Sequence, residues 1–253
     1  MRVLFVIFLN TIRQAFRRKF LAGLLVTCFI ILLLSLVFAQ LSLDDEGRLT
    51  VDFGLAGIQL LLAALAVFFG SSFISADLDK KILWTILTKP IRPAVFFLGR
   101  YLALSSLLVL AGIALSFVLI VFFIFLKVPI QLVLFYALLG FLLESLLLLA
   151  FVIFFSSFVN SFLVLFYCLS LFIIGHFLNS LFYFIGKAPG FLNSILYQLF
   201  HFLPNLERVN WKSEVVYQDS LKLSEFASSS AYLLLWIGFV LSLSLLIMEK
   251  REF

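Results

Sequence analysis

Charge is what this sequence has least of. Only 12% of its 253 residues are charged and 64% are hydrophobic, whereas a soluble domain carries about 25% charged residues. That deficit excludes a soluble core inside a solvated shell. Runs of about twenty apolar residues recur instead, the length that crosses about 30 Å of hydrocarbon as a helix, so the chain reads as an all-α polytopic membrane protein with no room for a second, soluble domain. Histidine is nearly absent: His176 and His201 stand 25 positions apart and no H-E-x-x-H pair exists, which removes the helical zinc-hydrolase arrangement. Cysteine is as scarce. Cys28 and Cys168 both fall inside apolar runs, where a thiol behaves as a small hydrophobe and reports nothing about redox compartment. No metal site is expected from these four residues. A G-x-x-x-x-G-K-[ST] loop is missing too, so any ATP must be bound on another chain.

The net charge of +5 is not a nucleic-acid signal, because the basic residues sit at the ends of apolar runs, where topology accounts for them. Residues 2 to 19 place Phe5, Phe8, Leu9, Ile12 and Phe16 at helical spacing, with Arg13, Gln14, Arg17 and Arg18 opposite. That pattern predicts an elbow helix over 1–19 lying in the membrane interface; a plain basic flank of the first span is the alternative. Six spans are expected, at about 20–39, 53–74, 93–126, 130–155, 161–185 and 230–248. Val37-Phe38-Ala39 resembles a signal-peptide cleavage site, but some twenty residues precede the first run, which is read as a retained span.

Asp44, Asp45, Glu46, Arg48 and Asp52 are expected to close the first turn, Lys127 and Pro129 the turn after span three, and the uncharged 156–161 the next. With the N-terminus inside, 12 of the 18 basic residues fall on the inner side and eight of the 13 acids on the outer side, which places both termini in the cytoplasm. The segment 186–227 is expected to be an extracytoplasmic re-entrant or surface-lying structure. Ser194, Tyr197, Gln198 and His201 share a face of it, Pro204 ends that helix, and Asn205 to Glu225 is polar enough to be solvated.

Two places could carry chemistry. Inside the bilayer, Glu144 is the sole acid near a span's centre, at a cost of about 2.5–3.5 kcal/mol on insertion scales, so it should face protein. It shares a face with Tyr136 and Gly140, while Gly175, His176, Asn179 and Tyr183 crowd the adjoining span. A hydrogen bond between the two helices is expected. Glu144, His176 and Asn179 then form either a polar substrate path or a contact that only fixes helix packing. The second place is the charged stretch from Asp77 to Arg100. Asp77 can cap a short helix and pair with Lys81, Leu78, Ile82 and Ile86 give it an apolar edge, and Lys89-Pro90 stops it. Such a helix suits docking into a partner's groove; an interfacial loop whose lysines hold the topology fits the same pattern.

That loop resembles the signature of ABC-transporter permeases of the ABC-two (type V exporter) class, with Asp77-Leu78-Asp79, Leu87-Thr88-Lys89-Pro90-Ile91-Arg92 and Leu98-Gly99-Arg100-Tyr101. The basic elbow, Pro204-Asn205-Leu206-Glu207 and the terminal Lys250-Arg251-Glu252-Phe253 also match. The similarity covers the whole chain in order and is greatest to permeases of the nitrous-oxide-reductase maturation and gliding-motility type. The family more often has Glu at the place of Asp77 and Ser-Arg at that of Ile91-Arg92. The resemblance implies a non-enzymatic permease of the bacterial cytoplasmic membrane, working as a pair with an identical or related permease and two cytoplasmic ATPase subunits that hold ATP and Mg. It also implies that the ATPases grip a cytoplasmic coupling helix over 77–92, through Asp77, Asp79, Lys80, Lys81, Trp84, Thr88, Lys89, Pro90 and Arg92. Two other classes stay open: a secondary transporter relaying protons through Glu144 and His176, and a membrane anchor for a larger machine.

Overall fold

A computed structural model describes residues 2–17, 23, 26, 30, 46–79, 93–125, 130–185, 198 and 202–250. Its helices are α1 (Arg2–Arg17), α2 (Glu46–Asp79), α3 (Pro93–Phe125), α4 (Leu132–Ser156), α5 (Ser161–Ile185), a 3-10 turn (Leu206–Val209), α6 (Lys212–Tyr217) and α7 (Leu223–Lys250). No strand occurs among the described residues. Five of the helices, α2, α3, α4, α5 and α7, are long and apolar enough to cross a membrane. The expected first span, 20–39, lies outside the described residues except for Gly23, Val26 and Ile30, which are helical and exposed.

The axis of the bundle is α4. Its spanning stretch is 67% buried against 28% for α5 and for α7, and α2, α3, α5 and α7 all pack on it. Apart from Glu144 the helix carries no charge, and small residues at Ala137, Gly140 and Ala150 let neighbours approach closely. Around it α3 touches α2 and α7, and α2 touches α5. Large side chains left exposed, such as Ile173 and Phe177 on α5 and Leu235 and Phe239 on α7, face away from the bundle, as a hydrocarbon solvent permits.

Helix ends follow local chemistry. Ser156 and Ser157 return their hydroxyls to the carbonyls of Val152 and Ile153, satisfying the end of α4. Asn160 accepts the Leu163 N–H at 3.1 Å and starts α5. The uncharged turn expected at 156–161 is thus held by hydroxyl and amide groups instead of by charge.

Three expectations need correction. Glu46, Arg48 and Asp52 lie in the first turns of α2, not in a connecting turn, because helix-compatible residues run unbroken into the apolar stretch. At its other end α2 continues through Asp77 to Asp79, so Asp77 caps no separate helix; neither proline nor glycine interrupts the chain between Ile74 and Lys80. And α7 begins at Leu223, with Glu225 in its first turn, where the helix dipole favours an acid.

α1 lies along α3 chiefly by small residues, and the aromatic stripe that the sequence singles out is only partly covered, with Phe8, Leu9 and Ile12 half-buried. Thr11 and Ala15 are buried and Ile7 packs against Gly99, while Phe5 is 60% exposed. Three faces therefore exist where two were expected: a small-residue face on the bundle, a polar face with Arg13, and a bare apolar face with Phe5 and Val6.

Candidate functional site

Three of the long helices and the connection before α7 meet at one polar cluster. Glu144, at the middle of α4 and 1% exposed, accepts a hydrogen bond from the Gln59 amide of α2 at 2.8 Å on one oxygen. Its other oxygen lies 2.6 Å from Nε2 of His176 on α5. Gln59 Nε2 and His176 Nε2 are 3.1 Å apart because both converge on the same carboxylate. On the far side of the ring, Nδ1 lies 3.1 Å from a carboxylate oxygen of Glu207 in the 3-10 turn, and the same oxygen accepts from the Asn210 amide at 3.1 Å. Phe172 packs edge-on against the ring, with centroids 4.9 Å apart. The order is Glu144, His176, Glu207, from buried (1%) through part-buried (15%) to part-exposed (37%).

The connection that carries Glu207 is seated in the bundle. Leu206 and Val209 are fully buried and Trp211 nearly so, which corrects the expectation that Asn205 to Glu225 is solvated throughout. Two glycines make room. A Cβ on Gly175 would stand 2.6 Å from Leu206, and one on Gly140 would stand 2.5 Å from the Val209 carbonyl oxygen. Gly140 lies eight residues inside α4, about 12 Å along the helix from its start. Asn205 caps the turn by accepting the Glu207 N–H, and its amide donates to Asn179 Oδ1 at 2.8 Å. Tyr232 of α7 accepts the Asn205 N–H, and Arg208 lies over the Tyr232 ring. Trp211 and Tyr136 both contact Phe226 at the foot of α7.

Burial opposes ionisation of Glu207, but hydrogen bonds from His176 and Asn210 and the positive charges of His176 and Lys212 outweigh it, holding the carboxyl below its usual range. The two carboxylates lie on opposite sides of the ring and cannot converge on one ion. Among the described residues no group of three or more histidine, cysteine, aspartate or glutamate side chains could hold a metal. Above Phe172 a groove of about 270 Å³ runs between α2 and α5, lined by apolar side chains such as Leu60, Val67, Phe68, Phe166 and Leu169.

At the other end of the bundle, Arg100 is buried where α1 crosses α3. It donates to Thr11 Oγ1 at 2.9 Å and to Gln14 Oε1 at 3.3 Å, and lies over the Phe96 ring. Arg13 is exposed on α1, Arg17 ends that helix, and Arg18 lies outside the described residues. Asp77 and Asp79 belong to the last turn of α2; Lys80, Lys81, Trp84, Thr88, Lys89, Pro90 and Arg92 lie outside the described residues.

The structure brings Glu144 and His176 together, as expected, and gives Asn179 to the connecting turn instead of to Glu144. Gln59 and the pairing of Glu207 with His176 were not anticipated. Gln59 had a legible signal, as the one polar side chain between Phe53 and Gly70. The scan against family models and the search of curated proteins find no match to this chain.

Proposed function

We propose that the chain is the membrane permease subunit of an ATP-driven ABC transporter of the ABC-two class, an exporter in the bacterial cytoplasmic membrane. It pairs with a second permease, identical or related, and with two cytoplasmic ATPase subunits; no catalysis occurs in this chain. The resemblance of residues 77–101 supplies the class. The observation that gives it mechanical sense is the Arg100 clamp: a buried guanidinium, seven residues after Pro93, ties α1 to the start of α3. A push on residues 80–92 moves α3 and the elbow helix as one body, and α2, packed on α3, follows.

The test is co-purification. The permease is expected to carry an ATP-hydrolysing subunit, and charge reversal at Asp77 together with Lys81 to release it while the permease still inserts. Retained binding by the reversed protein defeats the docking assignment.

One observation favours a second reading, a proton-coupled secondary transporter: Glu144 is in direct contact with a histidine. On that reading Glu144→Gln abolishes transport, whereas transport unchanged in the variant assigns Glu144 to packing. An anchor without substrate would tolerate changes along the span interfaces as long as assembly survived.

A further inference from the structure

We propose that Glu144, His176 and Glu207 form a proton-binding latch, in which one proton shared along the three side chains holds the 202–217 connection onto the spanning helices.

Hydrogen counting carries the step. Both ring nitrogens of His176 lie within hydrogen-bond distance of a carboxylate oxygen, 2.6 Å to Glu144 and 3.1 Å to Glu207. Two hydrogens are needed to fill both gaps, and a neutral imidazole supplies one. The second is an extra proton, whether it resides on the imidazolium or on one of the carboxyls. Remove it and one gap sets lone pair against lone pair. The gap that opens is the one to Glu207: Glu144, at 1% exposure, would be left with the Gln59 amide as its one donor, whereas the part-exposed Glu207 carboxylate is released to water.

What the proton holds is defined by packing. Leu206 fits against Gly175 and Val209 against Gly140, contacts that only a flush docking allows. The other polar ties of the connection, Asn205 to Asn179 and to Tyr232, are neutral. Among the described residues the charged or titratable groups around the latch are Glu144 on α4, Glu207, Arg208 on the Tyr232 ring, Tyr232 on α7 and Lys212 at the start of α6, together with the Gln59 amide from α2 and that of Asn210. Since Glu207 is held below the usual carboxylate range, mild acid leaves the latch closed. It opens on the alkaline side, as the shared proton leaves. The proposal is independent of which partner drives the protein.

Trp211, a buried residue of the connection itself, reports its position. The full chain with Trp84→Phe and Trp236→Phe, in lipid nanodiscs, leaves Trp211 as the sole tryptophan. Between about pH 5 and 9 its emission should shift to the red and its quenching by acrylamide should rise in a single transition. Glu207→Gln, which removes the carboxylate that favours the imidazolium, should move that transition to lower pH. His176→Gln should abolish it. A flat profile in the parent protein overturns the latch, as does a transition left in place by Glu207→Gln. Because Glu207 is part-exposed, that variant decides the matter even if His176→Gln does not insert.

Discussion

A single carboxylate shows how the bilayer changes the value of a polar contact. Glu144 has two donors, Gln59 and His176, on separate oxygens. Removing one partner of a buried ion pair costs about 3–5 kcal/mol where a charge is stranded, but interhelical hydrogen bonds in membranes average nearer 0.6 kcal/mol. Here the smaller regime governs, because Glu207 still faces the His176 ring once Glu144 is gone and no charge is stranded. Glu144→Ala should therefore cost about 1–2 kcal/mol in denaturant unfolding from micelles. Glu144→Gln, which keeps one acceptor oxygen, should cost less. Equal stability of both variants and the parent would mean that the contacts seen here do not hold the helices. The acid and the histidine were readable as a pair, since each is rare in so apolar a chain. Glu207 was not, because it lies in a polar segment that reads as solvated, and only the folded connection sets it beside His176.

The element most exposed to a small change is the 3-10 turn with its two glycine seats. At Gly175 the obstructing atoms belong to the Leu206 side chain, which can rotate; at Gly140 the obstruction is a backbone oxygen, which cannot. Gly140→Ala should thus cost about 1–3 kcal/mol, as overpacking does, and Gly175→Ala less. Gly238, where nothing lies within 4 Å of an added Cβ, is the control: alanine there should be neutral or stabilise by up to about 1 kcal/mol, by helix propensity. Limited proteolysis between 202 and 222 reads the undocking directly; equal resistance of the Gly140 and Gly238 variants would remove the seat. Composition marked this segment as distinct from its neighbours. It could not tell solvated from seated, because Leu206, Val209 and Trp211 are too few and too irregularly spaced to make a face. On α1, likewise, Thr11 and Ala15 are the residues fully buried while Phe5 stays exposed: close approach of backbones, more than hydrophobic area, decides helix contacts in a medium as apolar as the side chains.

At the scale of the molecule, α1 packs on α3, tied to its start by Arg100, and α6 packs on α2 and α4; the proposed topology puts α1 in the cytoplasm and α6 outside. In a Cys28→Ala, Cys168→Ala background, a cysteine at Asp219 should react with an impermeant maleimide in intact cells. One at Arg13 should react only after permeabilisation. Labelling in the opposite order would put the basic elbow outside and end the coupling assignment. Apolar run length was enough to give an all-helical chain with long apolar helices and to locate most of those described within a few residues, because it is a one-dimensional property that a bilayer reads along the chain. Which helix forms the axis, that the 3-10 turn is buried in it, and that two carboxylates share one histidine were settled only by the fold. Such contacts join residues as far as 117 positions apart, and they rest on backbones approaching at glycine, which leaves no periodic mark in the sequence.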